Sequence, residues 1–139
     1  MNRVAALVFI VSLFLSCQAH ESKWQGGKIT EPGTYEYHDG SLTINIYLEN
    51  NFVRYKGIDD DGKTVIKYDY NISVFQNWAF YLDEKTNFWV FSSDIGDSVW
   101  KKGSGSSYFQ TTFNRQLTEN DVPESVYTNC KEFFRKLKE

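Results

Sequence analysis

A chain of 139 residues with 15 Lys and Arg against 18 Asp and Glu, net charge −3, is long enough for one domain with its own core. Its mildly acidic balance argues against a nucleic-acid partner, which would call for a basic face. Two cysteines, Cys17 and Cys130, exclude the multi-disulfide framework of small secreted scaffolds, so the fold must stand on its core.

The chain opens with Arg3, then a run at residues 4–15 that is apolar apart from Ser12, then small residues. These are the three parts of an export signal. Twelve residues at about 1.5 Å each give roughly 18 Å of helix, short of the roughly 30 Å hydrocarbon core, so a permanent span is not expected. Ser16-Cys17 directly after the apolar run resembles the lipobox of bacterial lipoproteins, although Phe14 and Leu15 depart from its usual Leu and small residue. The resemblance covers the signal alone, and it implies lipid attachment at Cys17 with residues 1–16 removed. Cys17-Gln18-Ala19 also reads as a small-x-Ala site that would release a secreted protein starting at His20. Residues 17–27 read as attachment point and tether. About ten flexible residues reach roughly 18 Å root-mean-square, which would hold the domain close to its bilayer.

A single β-rich domain is expected over residues 28–139. From Gly33 the pattern alternates, with turn residues between the runs. Tyr35-Glu36-Tyr37 leads into Asp39-Gly40, a strong hairpin signal because both residues tolerate positive φ. Leu42, Ile44, Ile46 and Leu48 then share one face. Asn50-Asn51 turns the chain into Phe52-Val53-Arg54-Tyr55. Asp59-Asp60-Asp61-Gly62 turns it again into residues 65–73, with Ile66, Tyr68, Tyr70 and Ile72 on one face. Residues 78–82 and 88–91 flank a turn at 83–87, and runs at 98–101 and 108–113 complete the set. Six to eight short strands with tight connections predict an antiparallel meander, either a sandwich or a small barrel.

A C-terminal helix over 122–138 is expected from a 3.6-residue stripe of Val126, Tyr127, Cys130, Phe133, Phe134 and Leu137. Asp121 and Pro123 suit its first turn, and the lysines and Arg135 suit its end. Packing this stripe on the sheet would place Cys130 inside as a small apolar residue.

Chemistry is sparse. Beside His20 in the tether stands only His38, and no His and Cys occur at ligand spacing, so neither a zinc site nor any cofactor is expected. No G-x-S-x-G marks a nucleophile, and three consecutive aspartates lack the alternate spacing of a calcium loop. A non-catalytic protein is the expectation. The stretch to single out is 88–100, in which aromatic Trp89 precedes a loop bearing Asp94 and Asp97, and Trp100 follows. Carboxylate acceptors beside an aromatic anchor suit a partner-binding edge. The alternative is an ordinary turn with Gly96 supplying the backbone. Strands 52–55 and 88–91, apolar on both faces, suggest that some of their aromatic residues line a pocket or a docking surface. The expected function is an envelope binding module for a protein partner, of inhibitor, immunity or accessory type. The alternatives are a lipocalin-like carrier of an apolar ligand and, less favoured, a hydrolase assembled from scattered Asp and Ser.

Overall fold

The computed structural model describes residues 24–68 and 70–134. The attachment at Cys17 and the end of the expected helix lie outside the described residues. Ten strands follow one another: β1 (Gly27–Ile29), β2 (Gly33–Glu36), β3 (Leu42–Glu49), β4 (Phe52–Asp59), β5 (Thr64–Lys67), β6 (Ile72–Ser73), β7 (Trp78–Leu82), β8 (Phe88–Ser92), β9 (Ser98–Lys102) and β10 (Tyr108–Thr112). They form two antiparallel sheets. One runs β2-β3-β4-β5, with β6 also pairing with β4; the other runs β1-β7-β8-β9-β10. Neither closes into a barrel, and the two stack as a sandwich.

The alternation decides the packing. Leu42, Ile44 and Ile46 of β3, with Val53 and Tyr55 of β4, meet Phe80, Leu82, Phe88, Val90 and Trp100 of the opposite sheet. Tyr55 lies 5.2 Å from Phe80 and 5.7 Å from Phe88, and those two rings stack at 5.4 Å. Leu48 keeps the inward parity but is exposed. β3 has eight residues against five in β7, so its end overhangs the cover.

The second sheet is buried on both faces. Ala79, Tyr81, Trp89, Phe91 and Val99 point away from the first core and pack on Leu117, Val126, Cys130, Phe133 and Phe134. This third layer explains why 88–91 is apolar throughout. The C-terminal segment supplies it, but not as one helix. α1 spans Glu124–Asn129, and a 3-10 turn at Lys131–Phe133 follows a break at Cys130. Thr128, Asn129 and Cys130 are weak helix formers. The break lets both Phe133 and Phe134 reach Phe91, at 5.4 and 5.5 Å. Pro123 occupies the cap position, while Asp121 serves the preceding turn, accepting the Thr118 N–H at 2.7 Å and pairing with Arg115 at 2.8 Å. Burial pushes the Cys130 thiol up to about 12, as suits an inert core residue.

Two other expectations change. The run at 65–73 is two strands, because the chain leaves β4 where the Arg54 guanidinium lies 4.2 Å from the Tyr68 ring centre and donates to Asn71. Tyr70 is exposed there. Part of the expected tether is fold: Trp24 bridges Tyr37, and Gly27–Ile29 adds a strand beside β7.

The hairpin turns obey the expected chemistry, and one design is used twice. In both, Asp59 and Asp83 accept the N–H two and four residues on through Oδ1, and the closing residues Lys63 and Asn87 accept the aspartate N–H. Position four of each turn is left-handed: Gly62 at φ 78°, and Thr86 at φ 60° where a β-branched residue is costly.

Candidate functional site

The strands give the sandwich two ends. At one, Gly27 pairs with Leu82, and Gly26 sits against the Leu82 carbonyl and the Tyr37 ring. The turns at 39–40, 59–62 and 83–87 are here, so the described chain begins at this near end. At the far end lie Asn50-Asn51, the β6–β7 link, the 92–97 loop and the segment after β10. The Ser73 N–H approaches Asp94 Oδ2 at 3.4 Å, tying the two sheets together there.

The 92–97 loop is built locally. Ser92 Oγ accepts the N–H of Asp94 at 3.2 Å and of Ile95 at 3.3 Å, and the Gly96 N–H returns to the Ser92 carbonyl at 3.1 Å. Gly96 closes the loop at φ 88°, open to glycine with no steric cost. The Phe113 N–H then donates to the Asp97 carbonyl at 3.0 Å, fastening β10's exit to the loop. Between this loop, residues 113–116 and the 3-10 turn opens a hollow of about 570 Å³, with Asp94, Asp97, Phe113, Arg115, Glu132 and Phe133 among its walls.

Asp97 is only 8% exposed. The Ser92 backbone N–H faces its carboxylate, and no ion pair among the described residues reaches it. Arg115 is engaged by both oxygens of Asp121, and Glu132 by Lys28. Among the described residues the hollow therefore carries net negative charge from Asp94 and Asp97. Burial pushes Asp97 up from 3.8 to about 6, opposed by the Ser92 N–H. Since the folded state holds this proton more tightly than the unfolded chain, ionisation costs stability as pH rises from about 4 through about 6. Asp97→Asn should flatten that fall and raise stability at pH 7 by on the order of 1–2 kcal/mol, after allowing for residual solvent. Urea unfolding of both proteins at three pH values checks this; parallel profiles would overturn it.

Of the residues singled out in the sequence, the structure brings Asp94 and Asp97 together at the hollow and takes the tryptophans away from it. Val99 stands opposite Trp89, and Trp100 opposite Phe88, which puts the two indoles on opposite faces of the sheet. Trp100 is 8% exposed in the inter-sheet core, its Nε1 3.4 Å from the Tyr55 hydroxyl. Trp89 is 4% exposed under the C-terminal layer, and its Nε1 donates to Asp83 Oδ2 at 2.9 Å. Neither is an exposed anchor. The exposed apolar residues at this end are instead Leu48, Phe75 and Ile95, with Phe75 79% exposed. Phe113, Arg115 and Glu132 also join from distant segments with no local signal. His38 is exposed beside Tyr37 at the near end. Three ligating atoms come within 4.8 Å of one another, among the described residues, only at Asp59, Asp60 and Asp61 in their turn.

In comparison with known proteins, the chain matches no family model, no curated protein and no solved structure. No helix among the described residues is long and apolar enough to cross a membrane.

Proposed function

We propose that this protein is an exported, non-catalytic binding module of the bacterial envelope, lipid-anchored through Cys17, that holds a protein partner at the far end of its sandwich. One observation carries the reading. The described chain begins at the near end, at Trp24, while the acidic hollow and the exposed Leu48, Phe75 and Ile95 lie at the opposite end. A domain tethered by its N-terminus would present that far end outward. Exposed apolar residues beside an acidic hollow suit a docking surface. The ring-filled space between the sheets favours a surface site over an enclosed one.

Site-specific photo-crosslinking in the native envelope tests the reading. A photoreactive residue at Phe75 or Ile95 should give a discrete adduct with one protein, and one at Lys85 or Asp60, at the near end, should not. Equal labelling from all four positions, or none from Phe75 and Ile95, overturns it. Intact mass of the mature protein, beside Cys17→Ala, tests the anchor: acyl mass on a chain beginning at Cys17 is expected, and a chain beginning at His20 would make the protein freely secreted.

A further inference from the structure

We infer that the hollow between the 92–97 loop and the C-terminal turn is a socket for one lysine or arginine side chain of the partner, with the Asp97 carboxylate as its counter-ion. The inference rests on the docking reading above and names the chemistry that the surface recognises.

A buried carboxylate without a cation is costly, because burial removes water and nothing charged replaces it. Asp97 approaches this case: the residue is 8% exposed, it stands in the wall of an open hollow, and among the described residues one backbone N–H, that of Ser92, faces its carboxylate. The charged groups on the elements around it leave that place open. Asp94 on its own loop adds a second negative charge. Arg115, from the segment after β10, is held in a two-pronged pair by Asp121. Glu132, from the C-terminal turn, is neutralised by Lys28 of β1. Among the described residues no cation pairs with Asp97: Arg115, in the wall, is committed to Asp121, and Lys28 to Glu132.

The shape selects the kind of cation. Asp94, Asp97 and Glu132 do not bring ligating atoms within 4.8 Å of one another, as a small metal ion would need; that clustering occurs, among the described residues, only at Asp59–Asp61. A long side chain fits better. Its stem would pass Phe113, Phe133 and the half-exposed Ile95, and its charged head would reach Asp97, with Asp94 at the mouth. Aliphatic stems of Lys and Arg pack on apolar walls in this manner while the head keeps its charge partner. Exposed Phe75 is close by, since the Phe75 N–H donates to Ser73 Oγ and the Ser73 N–H faces Asp94. The best complement is therefore a basic residue flanked by apolar ones.

Amide chemical-shift titration of the full-length protein provides the test, with a blocked peptide Gly-Leu-Arg-Leu-Gly, the same peptide with neutral citrulline for arginine, and spermidine. Saturable shifts at Ser93, Gly96 and Phe113 are expected with the arginine peptide, about tenfold weaker with citrulline, a factor set by losing a charged hydrogen bond. Asp97→Asn should remove the difference between the two peptides, and Asp94→Asn should reduce it in part. Equal binding of the arginine and citrulline peptides overturns the cation socket, as does the absence of shifts at the hollow. Spermidine binding as tightly as the arginine peptide would assign the site to a free polyamine and overturn the partner side chain. In each of these cases, discrete crosslinks from Phe75 would show that far-end docking survives while this chemistry fails; loss of those crosslinks would remove the docking reading itself.

Discussion

Phe91→Ala should destabilise the protein by about 3–5 kcal/mol, the range for deleting a fully enclosed aromatic ring. Phe91 is 0% exposed and holds the two layers of the second core together, with Trp89 at 6.3 Å on its own strand and Phe133 and Phe134 at 5.4 and 5.5 Å across the gap. The cavity cannot close easily, because its floor is a hydrogen-bonded strand paired on both sides, with Ala79 opposite in β7. The exposed Phe109, 64% accessible on the edge strand, serves as control and should change stability by less than about 0.5 kcal/mol when made alanine. Urea unfolding measures both. A loss under about 1 kcal/mol for Phe91→Ala would mean that the C-terminal segment does not pack on the sheet as described.

The second large effect is expected at Asp83, which is 3% exposed. Its Oδ1 accepts the N–H groups of Lys85 and Asn87, each at 2.9 Å, and its Oδ2 accepts the Asn87 side chain at 3.3 Å and the Trp89 indole at 2.9 Å. One carboxylate thus closes a hairpin and satisfies the polar edge of a buried ring. Asp83→Ala strands the indole N–H away from water and releases the turn, a loss of about 3 kcal/mol. Asp83→Asn should cost less, since its carbonyl can still serve the backbone, but its amide would turn a donor toward either the indole or the turn. Unfolding midpoints rank the two, and the near-ultraviolet circular dichroism of the tryptophans should weaken in both. Equal stability of Asp83→Ala and the parent would overturn this assignment.

Much of the architecture was legible because it is local. Asp39-Gly40, Asn50-Asn51 and Asp59–Gly62 turn the chain where their residue types allow, and Asn50 and Asn51 do adopt positive φ, at 52° and 65°. The alternation in β3 identified its inward Leu42, Ile44 and Ile46, while β4, read as apolar on both faces, alternates with Val53 and Tyr55 buried. The stripe around Val126 and Cys130 named part of the layer on the second sheet, whereas the two-sided run at 88–91, read as a pocket or docking surface, is buried under that layer. What the sequence withholds is which apolar residue ends up outside. Trp100 reads as well as an exposed anchor as it does as core; its burial is decided by β3 and β4, more than forty residues away by the Trp100–Tyr55 contact. Phe75, in the link between β6 and β7, carries no signal of its own in the sequence and is exposed. β1 is too short, and too close to two glycines, to signal a strand. The hollow draws walls from three separate segments, so only Asp94 and Asp97, which share a loop, could be found together.

The position of β1 sets how the molecule bears load. Gly27 pairs with Leu82 at the near end and Ile29 with Phe80 further along, so β1 runs from the first described residues toward the far end against an antiparallel neighbour. A pull on the chain before Gly27, resisted by anything held at the far end, acts along the strand axis. It must slide β1 past β7, straining their cross-strand hydrogen bonds together, whereas a pull across the sheet would part them one at a time. The side-chain pair of Lys28 with Glu132 adds a link from the same strand to the C-terminal layer. Under the proposed anchoring, tension between Cys17 and a partner at the far end would meet the fold in shear, the direction in which a paired strand yields least readily.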